Sequence, residues 1–534
     1  MFDASEVEGE LTTQSPKKFL GFWLNAETAP ERPALKTAAG VEMTYGELYA
    51  EVNRVCHGLA DVAGIQPGDT VASVMGDTAT MVALYLAAMQ SGIYLVTINH
   101  HLSAQDIAYI LGDSGAKAVV FSERAGDRVR EALEIAGIDP QRAFSEEGTG
   151  PGPTWADLVE GQSTERPADP RQGSVMQYTS GTTGRPKGVK RPVTGKHADE
   201  GAHIYEWLFR EYRMEEAVDN WLVQSPMYHS ANITVASGTL HLGGRLVVMD
   251  GWAPELCLQF IERERITGTH MVPTQFKRLL QLPEEVRSKY DVSSLRCVIH
   301  GAAPCPVEVK KKMMDWFGPI IIEYYGSTEV GTTLAFPEDW LRKPGTVGKP
   351  SSISELKILD DDGNELPPGE IGTIYMKQGS DVFEYHNDPE KTKSARRGRF
   401  VTVGDLGYVD EDGFLFITGR KSELIISGGV NLYPAEIEGA IAEHEYVRDV
   451  GVIGKPDEDM GEIPIAFIEL TEDAPAREEA LKAIEEFLGR RLSRQQRPRE
   501  IHVLDALPRD PNGKLYKRKL KAGFETDSKA AKAA

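Results

Sequence analysis

Short runs rich in β-branched residues alternate with helix-length stretches through most of this chain, and that alternation limits the folds open to it. Val71–Met75, Ala116–Phe121, Gly244–Met249, Leu295–His300 and Ile320–Tyr324 read as strands, with helices at Pro254–Ile266 and Pro304–Phe317 between them. Such an order predicts an α/β fold with mostly parallel sheet. Thr44 and Glu47 have the spacing of a capping box, and Leu48, Val52, Val55 and Leu59 follow at helical intervals. The longest apolar stretch, Met81–Ile98, is broken by Gln90, Ser91 and Gly92. A membrane span needs about 20 unbroken residues, so this stretch reads as helix, turn and strand.

The pattern changes after about Gly345. Glu355–Asp360 runs into Asp361-Asp362-Gly363-Asn364, and Tyr408–Val409 into Asp410-Glu411-Asp412-Gly413. Both read as hairpins with glycine in the turn, which predicts a small β-rich subdomain. After about Arg420 an α+β tail begins, with Pro434 near a helix start and an amphipathic helix at Ala476–Leu488. Glu146–Arg171 is polar and reads as a loop leading to a strand, Ser174–Tyr178.

Lys and Arg number 59 against 81 Asp and Glu, a net charge of −22 over 534 residues. A surface this acidic repels nucleic acid and anionic lipid, so neither is expected as a partner, although a single pocket can still be locally positive. Cys56, Cys257, Cys297 and Cys305 form no C-x-x-C pair or metal spacing, which fits reduced thiols in a cytoplasmic protein. The acidic start and the Lys-Ala-Ala end carry no recognisable address. No stable membrane insertion is expected, and a homodimer is allowed.

The most distinctive stretch is Tyr178-Thr179-Ser180-Gly181-Thr182-Thr183-Gly184-Arg185-Pro186-Lys187-Gly188. Its glycines let backbone N–H groups approach oxygens, its hydroxyls add donors and Lys187 adds charge, as a phosphate cradle requires. It is not a Walker A loop, whose lysine is followed by Ser or Thr to bind Mg²⁺; here Gly188 follows. A solvated turn needs no such density of donors.

With this loop the sequence resembles the adenylate-forming superfamily of acyl-CoA synthetases, luciferases and peptide-synthetase adenylation domains. The resemblance runs from about Thr44 to Lys519, and further motifs follow in the family's order. Met227-Tyr228-His229 matches an aromatic–His motif near the acyl carboxylate, although a lone histidine is more often simply packed. Gly301, Ala302 and Ala303 match the small residues along the adenosine and the acyl pocket. Tyr324, Tyr325, Gly326, Ser327, Thr328 and Glu329 contain the YGxTE motif. There the tyrosine stacks on adenine, the threonine meets the α-phosphate and the glutamate helps bind Mg²⁺, a metal that prefers hard oxygen ligands. Val403-Gly404-Asp405 resembles TGD with Val403 in place of threonine; Asp405 and Arg420 are the implied ribose contacts. Ser422 stands at the hinge, where the family usually has Asp or Lys. Gly428 and Gly429 match the stretch near the pantetheine tunnel, and Lys514 the C-terminal lysine.

The resemblance implies a large N-terminal domain (1–421) of mixed, mostly parallel sheets with helices and a β-barrel-like subdomain, and a small mobile α+β lid domain (422–534). It also implies ATP, Mg²⁺ and coenzyme A as cofactors and co-substrates. A carboxylate attacks the α-phosphate to give acyl-AMP and pyrophosphate, and the coenzyme A thiol then takes the acyl group. Thr179 through Gly184 with Lys187 hold the departing phosphates, and Lys514, His229, Thr328 and Glu329 serve the chemistry. Peptide-synthetase domains usually carry an Asp where His229 falls, to pair with an ammonium whose burial alone is costly; His229 argues against an amino acid. Tyr228, Ala231, Asn232, Gly301, Ala302 and Ser327, the implied pocket wall, are small or neutral, which favours a hydrophobic monocarboxylic acid. Fatty, aryl and steroid-type acids stay open, as do a different acyl acceptor and a non-catalytic adenylate binder.

Overall fold

The computed structural model describes residues 21–148, 152–179, 185–201, 210–214, 219–378, 383–509 and 515–524. Its contacts divide the chain into two compact units that do not follow sequence order. One comprises Met1–His270, Leu282–Ile299 and Gly379–Ala395; the other Met271–Gln281, His300–Gln378 and Arg396–Ala534.

In the first unit, strands Ala143–Ser145, Ala116–Phe121, Thr70–Val74, Tyr94–Thr97 and Ser174–Val175 lie side by side in that order, all parallel. Parallel strands buried on both faces need continuous apolar runs, and Thr70–Val74 and Tyr94–Thr97 are buried at every position. A second parallel group joins Pro33–Thr37, Arg245–Val248 and Asn220–Val223. The Thr44 capping box is formed: Glu47 N–H donates to Thr44 Oγ1 at 3.2 Å and Thr44 N–H to Glu47 Oε2 at 2.8 Å. The helix it starts, Tyr45–Asp61, buries Leu48, Val52, Val55 and Leu59. Met81–Ile98 is a buried helix, Ala79–Ser91, a left-handed turn at Gly92 and the strand Tyr94–Thr97. Among the described residues no helix is long and apolar enough to cross a membrane.

In the second unit, Ile321–Gly326 pairs antiparallel with Thr332–Ala335, which pairs with Lys349–Pro350. A six-stranded antiparallel sheet follows, within residues 354–420. The chain then builds a five-stranded sheet around Val447–Asp457 and Gly461–Leu470, covered by helices Pro434–Ala442 and Arg477–Arg491. Ile437, Ile441, Val452, Ala466, Ile468 and Ile484 form its core.

Two local expectations change. The strand Ser174–Tyr178 is two strands: Ser174–Val175 continues the parallel sheet, and Gln177–Thr179 turns to pair antiparallel with Lys187–Lys190. Met176, fully buried between them, anchors the change of direction. The loop Glu146–Arg171 contains a short helix, Trp155–Val159, whose capping box uses Thr154 and the shorter Asp157. The turn at Asp361–Asn364 closes a short hairpin, with the antiparallel bridge Leu359↔Glu365 and Leu366 N–H donating to Ile358 O at 2.9 Å, and Ser354–Leu359 also pairs with Gly372–Gln378 further on. Pro367 and Pro368 follow the turn, and neither has an N–H to continue a ladder.

Candidate active site

In the first unit, Thr179 and Lys187 face each other across an antiparallel pair, Thr179↔Lys187, at the two ends of the hydroxyl-rich loop. Ser180, Gly181, Thr182, Thr183 and Gly184 lie outside the described residues. Lys187 Nζ donates to Asp388 Oδ2 at 2.5 Å and stands 5.9 Å from the centroid of the Tyr385 ring. Asp388 also caps the helix Pro389–Ser394 by accepting from Lys391 N–H at 3.0 Å. Its segment is tied down nearby. His386 N–H donates to Gly188 O at 2.8 Å, and Asn387 Nδ2 and Tyr178 Oη both donate to Asp113. Gly188 allows this packing, since a Cβ there would stand 3.1 Å from the Tyr178 ring.

His229 is the N-cap residue of the helix Ser230–His241. The turn that carries it is fixed from three sides. Met227 N–H donates to Asp77 Oδ1 at 2.7 Å, Thr97 Oγ1 to Tyr228 O at 3.0 Å, and His229 N–H to Pro226 O at 3.1 Å. Burial pushes the Asp77 carboxyl up to about 7, against the pull of the Met227 N–H. The His100 ring lies edge-on to Tyr228 at 5.8 Å, and burial lowers its pKa to about 4.

In the second unit the nucleotide motifs converge. Asp405 and Arg420 are direct cross-strand partners, and Arg420 Nε donates to Asp405 Oδ1 at 2.9 Å. Tyr325 Oη donates to the other oxygen, Oδ2, at 2.8 Å. Burial and the adjacent Asp405 charge hold the Tyr325 phenol well above its usual pKa, so it stays a donor. Gly301 presses on Tyr324, where a Cβ would stand 2.6 Å from the ring. Ala302 follows with φ +66, a left-handed conformation that costs a non-glycine residue about 1–3 kcal/mol. Ala303 is half-buried. Ser327 Oγ accepts from Glu329 N–H at 3.2 Å, and Glu329 is buried beside the half-buried Thr328.

Ser422 is exposed in a single turn, Lys421–Glu423, between strands Leu415–Arg420 and Ile425–Ser427. Gly428 and Gly429 form the two-residue turn between Ile425–Ser427 and Val430–Leu432, with φ +58 and +79. Two positive φ values are what such hairpins require. Gly428 N–H donates to Met460 O at 2.8 Å, which ties this turn to its own sheet. Lys514 lies outside the described residues. Sequence reasoning missed Asp388, Asp113, Asp77 and Thr97. Only Asp388 left a trace, as Asn387-Asp388-Pro389 has the form of a helix N-cap followed by proline.

Residues 22–385 match the family described as AMP-binding enzyme, and residues 436–514 match the AMP-binding enzyme C-terminal domain. The chain belongs to the AMP-binding enzyme family. It aligns with the acyl-CoA synthetases of that adenylate-forming group. It is 31% identical to the long-chain-fatty-acid–CoA ligase FadD13 of Mycobacterium tuberculosis, over 94% of this chain and 98% of that one. It is 33% identical to 2-succinylbenzoate–CoA ligase of Bacillus pumilus, over 95% and 99%. Among solved structures, ATP-bound MatB from Rhodopseudomonas palustris has a TM-score of 0.81 at 30% identity, covering 95% of this chain and 99% of that one. The MatB structure shares this α/β architecture from end to end.

Proposed function

We propose that the protein is an ATP-dependent acid–CoA ligase acting on a hydrophobic monocarboxylic acid, of fatty, aryl or steroid type. The observation that carries this reading is the Tyr325–Asp405–Arg420 network. It places a planar ring beside a carboxylate whose oxygens each keep a lone pair for a ribose hydroxyl. Tyr325 stacks on adenine, Asp405 accepts from the ribose and Arg420 holds Asp405 in place. Lys187 and the hydroxyl loop bind the departing phosphates. Glu329 fits Mg²⁺, which takes one or two carboxylates and keeps phosphate oxygens and waters for the rest of its shell. Among the described residues no cluster of three or more His, Cys, Asp or Glu could hold a metal. Bound Mg²⁺ neutralises part of the triphosphate charge.

Lys514 orients the acid carboxylate against the α-phosphate by charge alone, with no proton transfer, because a free lysine is already cationic at neutral pH. Attack forms the acyl–O–P bond and breaks the bond to pyrophosphate. Movement of the 422–534 domain about Ser422 then withdraws Lys514 and brings in the Gly428–Gly429 turn. The coenzyme A thiol, losing its proton, attacks the acyl carbon and AMP leaves. Retention of Lys187, Glu329 and Lys514 supports catalysis over a purely binding role. The residues expected along the acid include no lysine or arginine for a second carboxylate.

A different acyl acceptor is the second reading. A relative from Streptomyces coeruleorubidus, 30% identical over 94% of this chain and 96% of its own, is a fatty acid–[acyl-carrier-protein] ligase. The test is pyrophosphate release from MgATP across fatty, aryl and steroidal acids, with and without coenzyme A. Acid-dependent pyrophosphate with acyl-CoA and AMP as products supports the ligase. Acid-dependent pyrophosphate with no thioester supports the second reading, and a folded protein silent with every acid refutes both.

A further inference from the structure

Three charged or titratable side chains lie in the core of the second unit, just beneath the nucleotide motifs. The helix Val307–Phe317 buries Lys310, Met313, Met314 and Phe317 on one face, so a lysine occupies a core position while Lys311 and Lys312 are exposed. Lys310 is fully buried; its Nζ donates to Glu323 Oε2 at 2.8 Å and lies 4.7 Å from the centroid of the Trp340 ring. The same glutamate oxygen stands 3.5 Å from His300 Nε2. The fully buried His300 ring packs on Phe276 at 5.1 Å. Burial alone would push the Glu323 carboxyl up, but His300 and Lys310 beside it hold it at about 2. It is therefore ionised throughout the working pH range.

A buried ion pair of this kind is often no more stable than apolar residues of the same volume. Stability therefore does not account for it, but position can. His300 ends its strand immediately before Gly301, and Glu323 immediately precedes Tyr324 and Tyr325. The approach of Gly301 to Tyr324 leaves no room even for a methyl group. Apolar contacts tolerate small slips, whereas a buried Lys310–Glu323 hydrogen bond with the His300 ring set against the same oxygen does not.

We infer that Lys310, Glu323 and His300 form a positioning cluster that holds the Gly301 turn in register against Tyr324 and so sets the affinity for the adenine nucleotide. The inference rests on the adenylation reading above. None of the three is a catalytic residue; His300 and Glu323 act through the backbone that follows each, and Lys310 acts through Glu323.

The test uses the full-length enzyme and the double variant Lys310→Met/Glu323→Gln, which removes both charges at nearly constant volume. Direct ATP binding by calorimetry, KM for ATP and for coenzyme A, and the thermal midpoint are measured together. The expected result is a midpoint within a few degrees of the parent, ATP binding and KM weakened about tenfold or more, and KM for coenzyme A little changed. His300→Gln, which disturbs only the longer contact, is expected to weaken ATP severalfold and serves if the double variant does not fold. Unchanged ATP affinity in a folded variant overturns the inference. So does an equal weakening of ATP and coenzyme A with a lowered midpoint, because general loosening does not discriminate. A parent enzyme that binds ATP but adenylates no acid refutes the proposed function while leaving the binding comparison intact.

Discussion

Replacing Asp405 with asparagine removes one charge and one acceptor from a carboxylate whose bonding is fully specified. Oδ1 accepts from Arg420 Nε at 2.9 Å and Oδ2 from Tyr325 Oη at 2.8 Å. Each oxygen has two lone pairs, so one remains on each for a ribose hydroxyl. An asparagine can keep its oxygen towards Arg420, leaving its NH₂ towards Tyr325, where it can donate to the phenol oxygen. The ribose acceptor on that side is then gone. A hydrogen bond to a charged group contributes about 1.5–3 kcal/mol, which at about 1.4 kcal/mol per tenfold predicts a loss of about 12- to 140-fold in ATP affinity. The fold should tolerate the change, because the Arg420 side chain is 36% exposed and water can replace part of its partner. The assay is KM for ATP in acid-dependent ATP–pyrophosphate exchange, with the thermal midpoint as control. A KM for ATP within threefold of the parent at an unchanged midpoint would show that Asp405 does not hold the ribose.

Three other outcomes are expected. Asp388→Asn keeps the helix cap but removes the charge competing with phosphate for Lys187; a partly exposed pair contributes about 0.2–1 kcal/mol, so KM for ATP should fall by about 1.4- to 5-fold, and a rise would mean that Asp388 aims the lysine. The buried Asp77 carboxyl, pushed from 3.8 to about 7, binds a proton in the folded chain that the unfolded chain has already lost between those values. Stability therefore falls as pH rises through that window and levels off above it. Asp77→Asn keeps the acceptor for Met227 N–H and avoids this loss, so its gain in unfolding midpoint should be large at pH 8 and vanish towards pH 4; a gain independent of pH would contradict the assignment. Lys514→Ala should abolish most adenylation yet leave thioester formation from pre-made acyl-AMP largely intact, and equal damage to both half-reactions would argue against two separate working states.

The legible part of this protein is local. The Thr44–Glu47 capping box, proline at the first position of Pro434–Ala442 and the turn at Gly92 are each set by residues within a few positions of one another. The turn at Asp361–Asn364 is local in the same way and closes the bridge Leu359↔Glu365, whereas the longer pairing of Ser354–Leu359 with Gly372–Gln378 is not.

The sequence by itself determined the order of the nucleotide motifs and the glycines they need, because backbone approach and positive φ are properties of single residues. Gly301 and the Gly428–Gly429 turn are of this kind. Only the tertiary structure decided which charges meet. Lys187 and Asp388 are 201 positions apart, and Tyr325 and Asp405 are 80 apart. Within Lys310-Lys311-Lys312 nothing local marks the first lysine as the buried one. It is buried because its turn of helix faces Glu323 and Trp340, and an ammonium can leave water only where a carboxylate and a ring are already in place to receive it.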